Sequence, residues 1–393
     1  MKKNKRIKLL AGLLSLLLLA AFALSSCGVQ KADTLLTLEG ETISVYTYQL
    51  MLARLKGNLA YSLSVQGYNV NGDTFWDQII DLSGTTYAQF FSDAVLKTLQ
   101  QYLIAAYLFD KVYGLTLPDA TVASIDENLQ ELMTYDSDGN KNAFNKILAD
   151  FGTNYKYLRE TYLLEAKQSA LVEYLYGTDG AKLTDTVKND YYQQHYVCFK
   201  QIVLNNYYYV TSTDEDGNEV TVDADGDGYD DVANYTPTQK NAIAARANEL
   251  LAILNEHPGD EVTFEYYMTR ESDDTVGRTE FPDGYFLCDT LTYSGIEDME
   301  YLPEMQEKLA EMAVGDVALI TADDGWHIIR KYELPEGAYG EDYNEPWFSD
   351  MVDAICDEMF VSVCDGYADK VEINDLALQN AMTIKDVSPN YFY

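Results

Sequence analysis

The sequence predicts an α+β protein: a long helical first half, a small domain of mixed strands and helices, then a closing helix and strand. Three observations predict it. From Val45 to about Gly177, apolar residues recur at three- and four-residue spacing, as in Val95, Leu99, Tyr102, Ala106 and Phe109, or Phe144, Ile147, Leu148 and Phe151. That is the period of a helix with one buried face. At Val197 the register changes to Val197–Leu204, a mostly apolar run of strand length. Farther on, Val317–Ile320 and His327–Tyr332 read as short strands separated by the turn Asp324-Gly325.

The elements follow in order. Residues 28–44 form a tether leading into Leu36–Glu41, a strand and turn. Leu117-Pro118-Asp119 and Thr153-Asn154 mark helix boundaries. Thr184 caps a helix running from Asp185 toward Tyr192 and His195. A polar, acidic insertion, 205–238, follows the first strand of the small domain. Ile243, Ala247, Leu250, Leu251 and Leu254 then share a helix face that ends at His257-Pro258-Gly259. A helix over Glu304–Met312 stops before Gly315, and the tail carries a helix around Trp347–Val363 and a strand at Lys370–Ile373. Strand, helix, helix and two closing strands indicate a compact α+β domain. The expected divisions are 1–26, 27–44, 45–195, 196–335 and 336–393.

The first division is an export leader. Lys2, Lys3, Lys5, Arg6 and Lys8 precede an apolar run from Leu9 to Leu24, which ends in Leu24-Ser25-Ser26-Cys27. This is the layout of a signal peptide. The run is shorter than the ~20 residues a spanning helix needs. The tetrapeptide resembles the lipobox of bacterial lipoproteins, which implies lipid on Cys27 and cleavage before it. Two or more acyl chains anchor stably, because each buried methylene contributes about 0.8 kcal/mol.

The formal charge is −37. Without residues 1–26 it becomes −42, from 22 basic and 64 acidic residues. Such a surface repels nucleic acid and anionic lipid, and excludes both as partners of the mature chain's surface. The 33 tyrosines supply apolar area with a polar tip, of use in cores and in promiscuous grooves. Cys198, Cys288, Cys356 and Cys364 are neither dense nor at metal-site spacing. Cys356 and Cys364 share one helix face about 12 Å apart, too far for a bridge. Three histidines, His195, His257 and His327, leave no histidine-rich metal site. Within the insertion, Asp223, Asp225, Asp227 and Asp231 place oxygen ligands as the opening of a calcium loop does, with Gly228 sixth. The twelfth position is Asn234 instead of a bidentate glutamate, and a solvated hairpin tip is the alternative.

Leu302–Ala310, Gly315-Asp316-Val317 and Gly325-Trp326-His327-Ile328-Ile329 supply the sharpest comparison. An acidic helix, a turn and a Gly-x-His-Ile-Ile strand at this spacing resemble the parvulin-type prolyl isomerase domain of the PrsA/SurA family of extracytoplasmic foldases. Leu183-Thr184-Asp185 with Tyr191-Tyr192 resembles that domain's entry, and Phe360–Ile373 its closing helix and strand. The resemblance implies a helical chaperone domain completed by the C-terminal segment, with a parvulin-like domain between. It implies binding of unfolded or newly exported polypeptides, an extracytoplasmic, lipid-anchored location, and no required cofactor.

Prolyl isomerisation breaks no bond; it needs an apolar pocket for the ring and polar groups that disfavour the planar amide, whose barrier is about 18–20 kcal/mol. By the resemblance, His327 matches the second of two facing histidines and Asp274, after Ser272-Asp273, the acidic or thiol position. Met305 matches an apolar pocket position, with Phe281 and Leu309 beside it. Gln201 stands where the first histidine is expected, and Ala322 replaces a hydroxyl residue. The glycine-rich stretch is reduced to Gly277–Phe281. Glutamine donates and accepts hydrogen bonds but does not share a proton as imidazole does. The expectation is a foldase with weak or absent isomerase activity. Its rivals are a competent isomerase and a solute-binding lipoprotein, the latter needing two lobes of alternating strand and helix. The sequence leaves the oligomeric state open, a homodimer included.

Overall fold

The structure is a computed structural model and describes residues 33–65, 73–214, 217–226, 228–289 and 303–393. The leader, Cys27 and Asp227 lie outside the described residues. The chain forms two compact units: one runs to Thr178 and takes in Glu358–Tyr393, and the other is Asp179–Asp357.

The first unit opens with a hairpin, β1 (Thr34–Leu38) and β2 (Glu41–Ser44). Its turn, Glu39-Gly40, lies at positive φ, 47° and 93°, where Gly40 avoids the Cβ clash. Among the described residues five longer helices follow: α1 (Val45–Val65), α2 (Tyr87–Tyr107), α3 (Asp119–Ser137), α4 (Lys141–Ala149) and α5 (Tyr155–Tyr176). Side chains of Thr86, Asn140 and Asn154 accept the first free amides of α2, α4 and α5, donors that the helix itself leaves unpaired. α2 buries Val95, Leu99, Leu103 and Ala106 at helical spacing. Leu50 of α1 meets Leu129, Met133, Phe144, Leu148 and Leu158 of α3–α5 in a second core.

The second unit begins with α6 (Asp185–His195), capped by Thr184, and β3 (Tyr196–Asn205). The insertion holds β4 (Tyr207–Tyr209), β5 (Thr211–Thr213), β6 (Glu219–Thr221) and β7 (Val232–Asn234). They make two small hairpins, β4 with β7 and β5 with β6. α7 (Pro237–Glu256) starts in a capping box of Thr236 and Gln239. Then come α8 (Glu261–Glu271), α9 (Thr275–Thr279), β8 (Tyr285–Cys288), α10 (Pro303–Glu311), β9 (Val317–Thr321) and β10 (Gly325–Tyr332). The sheet is antiparallel in the order β8-β3-β10-β9. Ile202, Leu204 and Ile328 cluster with Ala247, Leu250 and Leu254 of α7 and Phe264 of α8. Phe264 is fully buried, and truncating such a ring costs about 3–5 kcal/mol. Phe199 and Ile329 belong to another core with Tyr285, Met305, Leu309 and Trp347.

α11 (Met351–Ala368) and β11 (Glu372–Ile373) come next, followed by a short helix, Asp375–Gln379, and residues 380–393. β11 pairs antiparallel with β1, Ile373 opposite Leu36, so the C-terminal segment completes the first unit's sheet. The units divide at 178/179 and 357/358, where the sequence placed boundaries at 195/196 and 335/336. The reason is aromatic burial: Tyr191 and Tyr192 of α6, with Trp347, Phe348, Met351 and Ile355, join the core of the second unit. β8 and α8 were not anticipated. The four described cysteines are buried, and burial pushes the Cys198 and Cys364 thiols up to about 12. Among the described residues, no helix is long and apolar enough to cross a membrane.

Candidate functional site

The two central strands carry the site. In their antiparallel register Gln201 lies opposite Ile329 and Val203 opposite His327. Gln201 and His327 are therefore diagonal neighbours on one face. Both are buried, at 7% and 5% exposure.

Asp274 is brought in by the Ser-Asp-Asp run. The Ser272 hydroxyl accepts the Val203 amide (3.0 Å) and the Asp274 amide (3.2 Å). Asp273 bonds β3 twice, its amide to Val203 O and its carboxylate from the Asn205 amide, each 2.8 Å. These two residues stitch the segment beside β3, and Asp274 then points inward. Its Oδ1 accepts the Gly277 amide (2.8 Å), capping α9. Its Oδ2 accepts from Gln201 Nε2 (2.9 Å) and the Tyr285 hydroxyl (2.6 Å). A Cβ on Gly277 would lie 2.4 Å from that hydroxyl and 2.7 Å from Oδ2. Only glycine lets the two close together.

The network continues to His327. Gln201 Oε1 is 3.1 Å from Nδ1, and both oxygens of Asp324 face Nε2, at 3.0 and 3.1 Å. Because the Gln201 amide nitrogen donates to a carboxylate, its oxygen is turned to the ring and Nδ1 donates to it. Nε2 likewise meets only acceptors in Asp324. Both ring nitrogens are thus engaged by acceptors. Burial first, then the Asp274 charge, raises the Tyr285 hydroxyl well above its ordinary range, which keeps it a donor.

The structure thus brings Gln201, Asp274 and His327 together in one chain of hydrogen bonds, and adds Asp324 and Tyr285 at its ends. Met305, Phe281 and Leu309 are all buried in the core that includes Tyr285, at 5%, 7% and 0% exposure. The cavity at the cluster, bounded by Lys200, Gln201, Met268, Asp274, Gly277 and Tyr285 among others, measures about 10 Å³. That is room for about one water, far less than a prolyl ring needs. Polar groups and apolar wall are in place, but each polar group already holds a partner.

The insertion is separate. Asp223 accepts the Gly226 and Gly228 amides (2.7 and 3.1 Å) and Asp231 accepts the Ala224 amide (3.0 Å), so these carboxylates cap a turn. Asp225 is exposed. Among the described residues, no three His, Cys, Asp or Glu side chains gather as a metal site.

Tyr285 and Asp324 escaped the sequence reading. Asp324 had a signal, an acid in the turn three residues before His327; Tyr285 had none beyond its place in an unrecognised strand.

No family model matches the chain, and no curated protein does. Solved structures do. PrsA from Bacillus subtilis is 14% identical, over 78% of this chain and 94% of that one, at a TM-score of 0.21. Foldase protein PrsA from Streptococcus pneumoniae is 16% identical, over 77% and 97%, at 0.21. A SurA-like chaperone structure from Campylobacter jejuni is 11% identical, over 87% and 99%, also at 0.21. The solved structures that this chain resembles are foldases and chaperones of the PrsA and SurA kind.

Proposed function

We propose that this chain is an extracytoplasmic foldase that binds unfolded, newly exported polypeptides and has weak or absent prolyl isomerase activity. The observation that carries this reading is the closed site. The positions matched to an isomerase converge on the expected sheet face, yet Gln201 replaces a ring and both His327 nitrogens are engaged. The apolar side chains that would receive proline are core residues. A domain of this kind offers a scaffold and little chemistry, which leaves polypeptide binding as its use. The acidic, soluble surface and the helical unit completed by β11 fit that use.

In this reading the leader directs export, and lipid on Cys27 holds the protein at the membrane where clients emerge. Tethering raises local concentration and so assists a weak, promiscuous binder. Light scattering of an unfolded secreted protein tests the holding activity: the chain at micromolar concentration should slow aggregation, and no slowing would refute it. Cys27→Ser should leave the membrane fraction while remaining folded.

The convergence of Gln201, Asp274 and His327 favours a second reading, a competent isomerase. It requires acceleration of a proline-limited refolding step that His327→Ala abolishes.

A further inference from the structure

The last residues of the first unit, 380–393, contain no helix or strand, yet they are tightly seated. Ile384, Val387, Asn390 and Tyr393, every third residue, are buried at 0%, 1%, 3% and 8% exposure. Much of what holds them is directed at main chain. Gln49 Oε1 accepts the Met382 amide (2.8 Å). Lys56 Nζ, itself on a buried residue, donates to Lys385 O (3.2 Å) and Val387 O (2.7 Å). The Asn390 amide donates to Ala53 O and the Ser388 amide to Asp150 O, both 2.9 Å. Arg54 Nε donates to Tyr393 O (2.6 Å).

Gln49, Ala53, Lys56 and Gly57 are spaced i, i+4, i+7 and i+8, one face of α1. A Cβ at Gly57 would lie 2.0 Å from Asn390 O, so the glycine is what admits the segment's backbone. At the far end the Tyr393 ring meets Phe144 edge-on at 5.6 Å and Phe151 at 5.7 Å, and its hydroxyl bonds Asp136.

A grip on amides and carbonyls, with apolar recesses at intervals, is how a surface binds extended peptide with little regard to sequence. We infer that this face of α1 is a peptide-binding groove for unfolded polypeptide, and that residues 380–393, which turn at Thr383–Val387 and Asn390–Tyr393, are its resident, displaceable occupant. The inference rests on the foldase reading for the identity of the incoming partner. The groove itself rests on the seating of the segment alone. A site filled by its own segment all but about a hundredth of the time binds an outside peptide about a hundredfold more weakly than an empty one.

Native-state hydrogen exchange on the whole chain tests displaceability. The Ser388 and Asn390 amides should show only about hundredfold protection, well below that of buried α5 amides such as Leu171, by local opening. Exchange of both sets only through global unfolding would make the segment a fixed part of the core and overturn the inference. A second arm uses the variant Val387→Asp/Tyr393→Asp, checked for helix content. It should bind a labelled peptide of residues 380–393, and should bind reduced, carboxymethylated α-lactalbumin about a hundredfold more tightly than the parent, with the peptide displacing it. If the parent binds that probe and the variant binds neither probe nor peptide better, the groove is refuted and the foldase reading stands. If the peptide binds the variant and neither protein binds the probe, the groove stands and the foldase reading falls. A dimer of the parent that the variant loses would make the occupant another copy's tail, and would overturn occupancy within one chain.

Discussion

Two regions of the molecule bury polar side chains and use them in opposite ways. On the sheet, Asp324, His327, Gln201, Asp274 and Tyr285 take one another as partners. On α1, Gln49, Arg54 and Lys56 direct theirs to the main chain of residues 380–393. The sheet network is specific, since its members are satisfied by neighbouring side chains of the right type, and a partly satisfied network of this kind is costly. The polar side chains of α1 meet the segment through its backbone, while its apolar side chains fill recesses. The first arrangement fixes a structure; the second can change occupant.

The largest test of this contrast is Gly57→Val. The new side chain cannot coexist with Asn390 O, so the segment should lift and Tyr393 should leave the core. Loss of a large buried ring costs about 3–5 kcal/mol, to be read from chemical denaturation of the first unit. A loss below about 1 kcal/mol would mean that the seating of the segment contributes little.

Next is Asp274→Ala, which strands donors on Gln201, Tyr285 and Gly277. Each buried donor left unpaired costs about 1–3 kcal/mol, while Asp274→Asn keeps an acceptor and should cost less. Equal losses would show that the network does not depend on the carboxylate. Gln201→His then asks whether one ring is all that isomerase chemistry lacks. The closed core predicts no gain approaching the ~100-fold that a working acid–base group supplies, and a gain of that size in a prolyl peptide assay would contradict it.

The smallest effect is in pH. The Thr383 amide and hydroxyl both donate to Asp386 at 2.8 Å and hold its carboxyl below the usual aspartate range, the amide most. A depressed folded value gives stability that is complete above the unfolded value, ~4, and is lost as pH falls through the folded one. Below about pH 4, protection of the Ser388 amide should therefore fall relative to α5. Unchanged relative protection would remove Asp386 from the account.

Much of this was legible before the fold was seen. β3, β9 and β10 announce themselves as apolar runs ending at turns. Thr184 and Asn154 cap the helices that their positions suggested. Gln201, Asp274 and His327 were legible as a set through the motif around His327. β8 was not, because its four residues are all buried and lack the alternation that marks a strand. α8 buries only Phe264, too little for a stripe, although Asp260 is a readable cap. Whether Met305, Phe281 and Leu309 line an open pocket or fill a core depends on packing, on which an apolar side chain is silent. The seating of 380–393 was hidden for a related reason: a three-residue period matches neither helix nor strand, and its partners lie on a distant part of the chain.

The central claim is holding without isomerisation, and one refolding experiment reaches it directly. A secreted client whose slow phase is set by a trans-to-cis prolyl bond is refolded with increasing amounts of this chain, following both native yield and the slow rate. The account predicts a higher yield with an unchanged slow rate. A slow rate that rises with concentration, and falls back in His327→Ala, would contradict it.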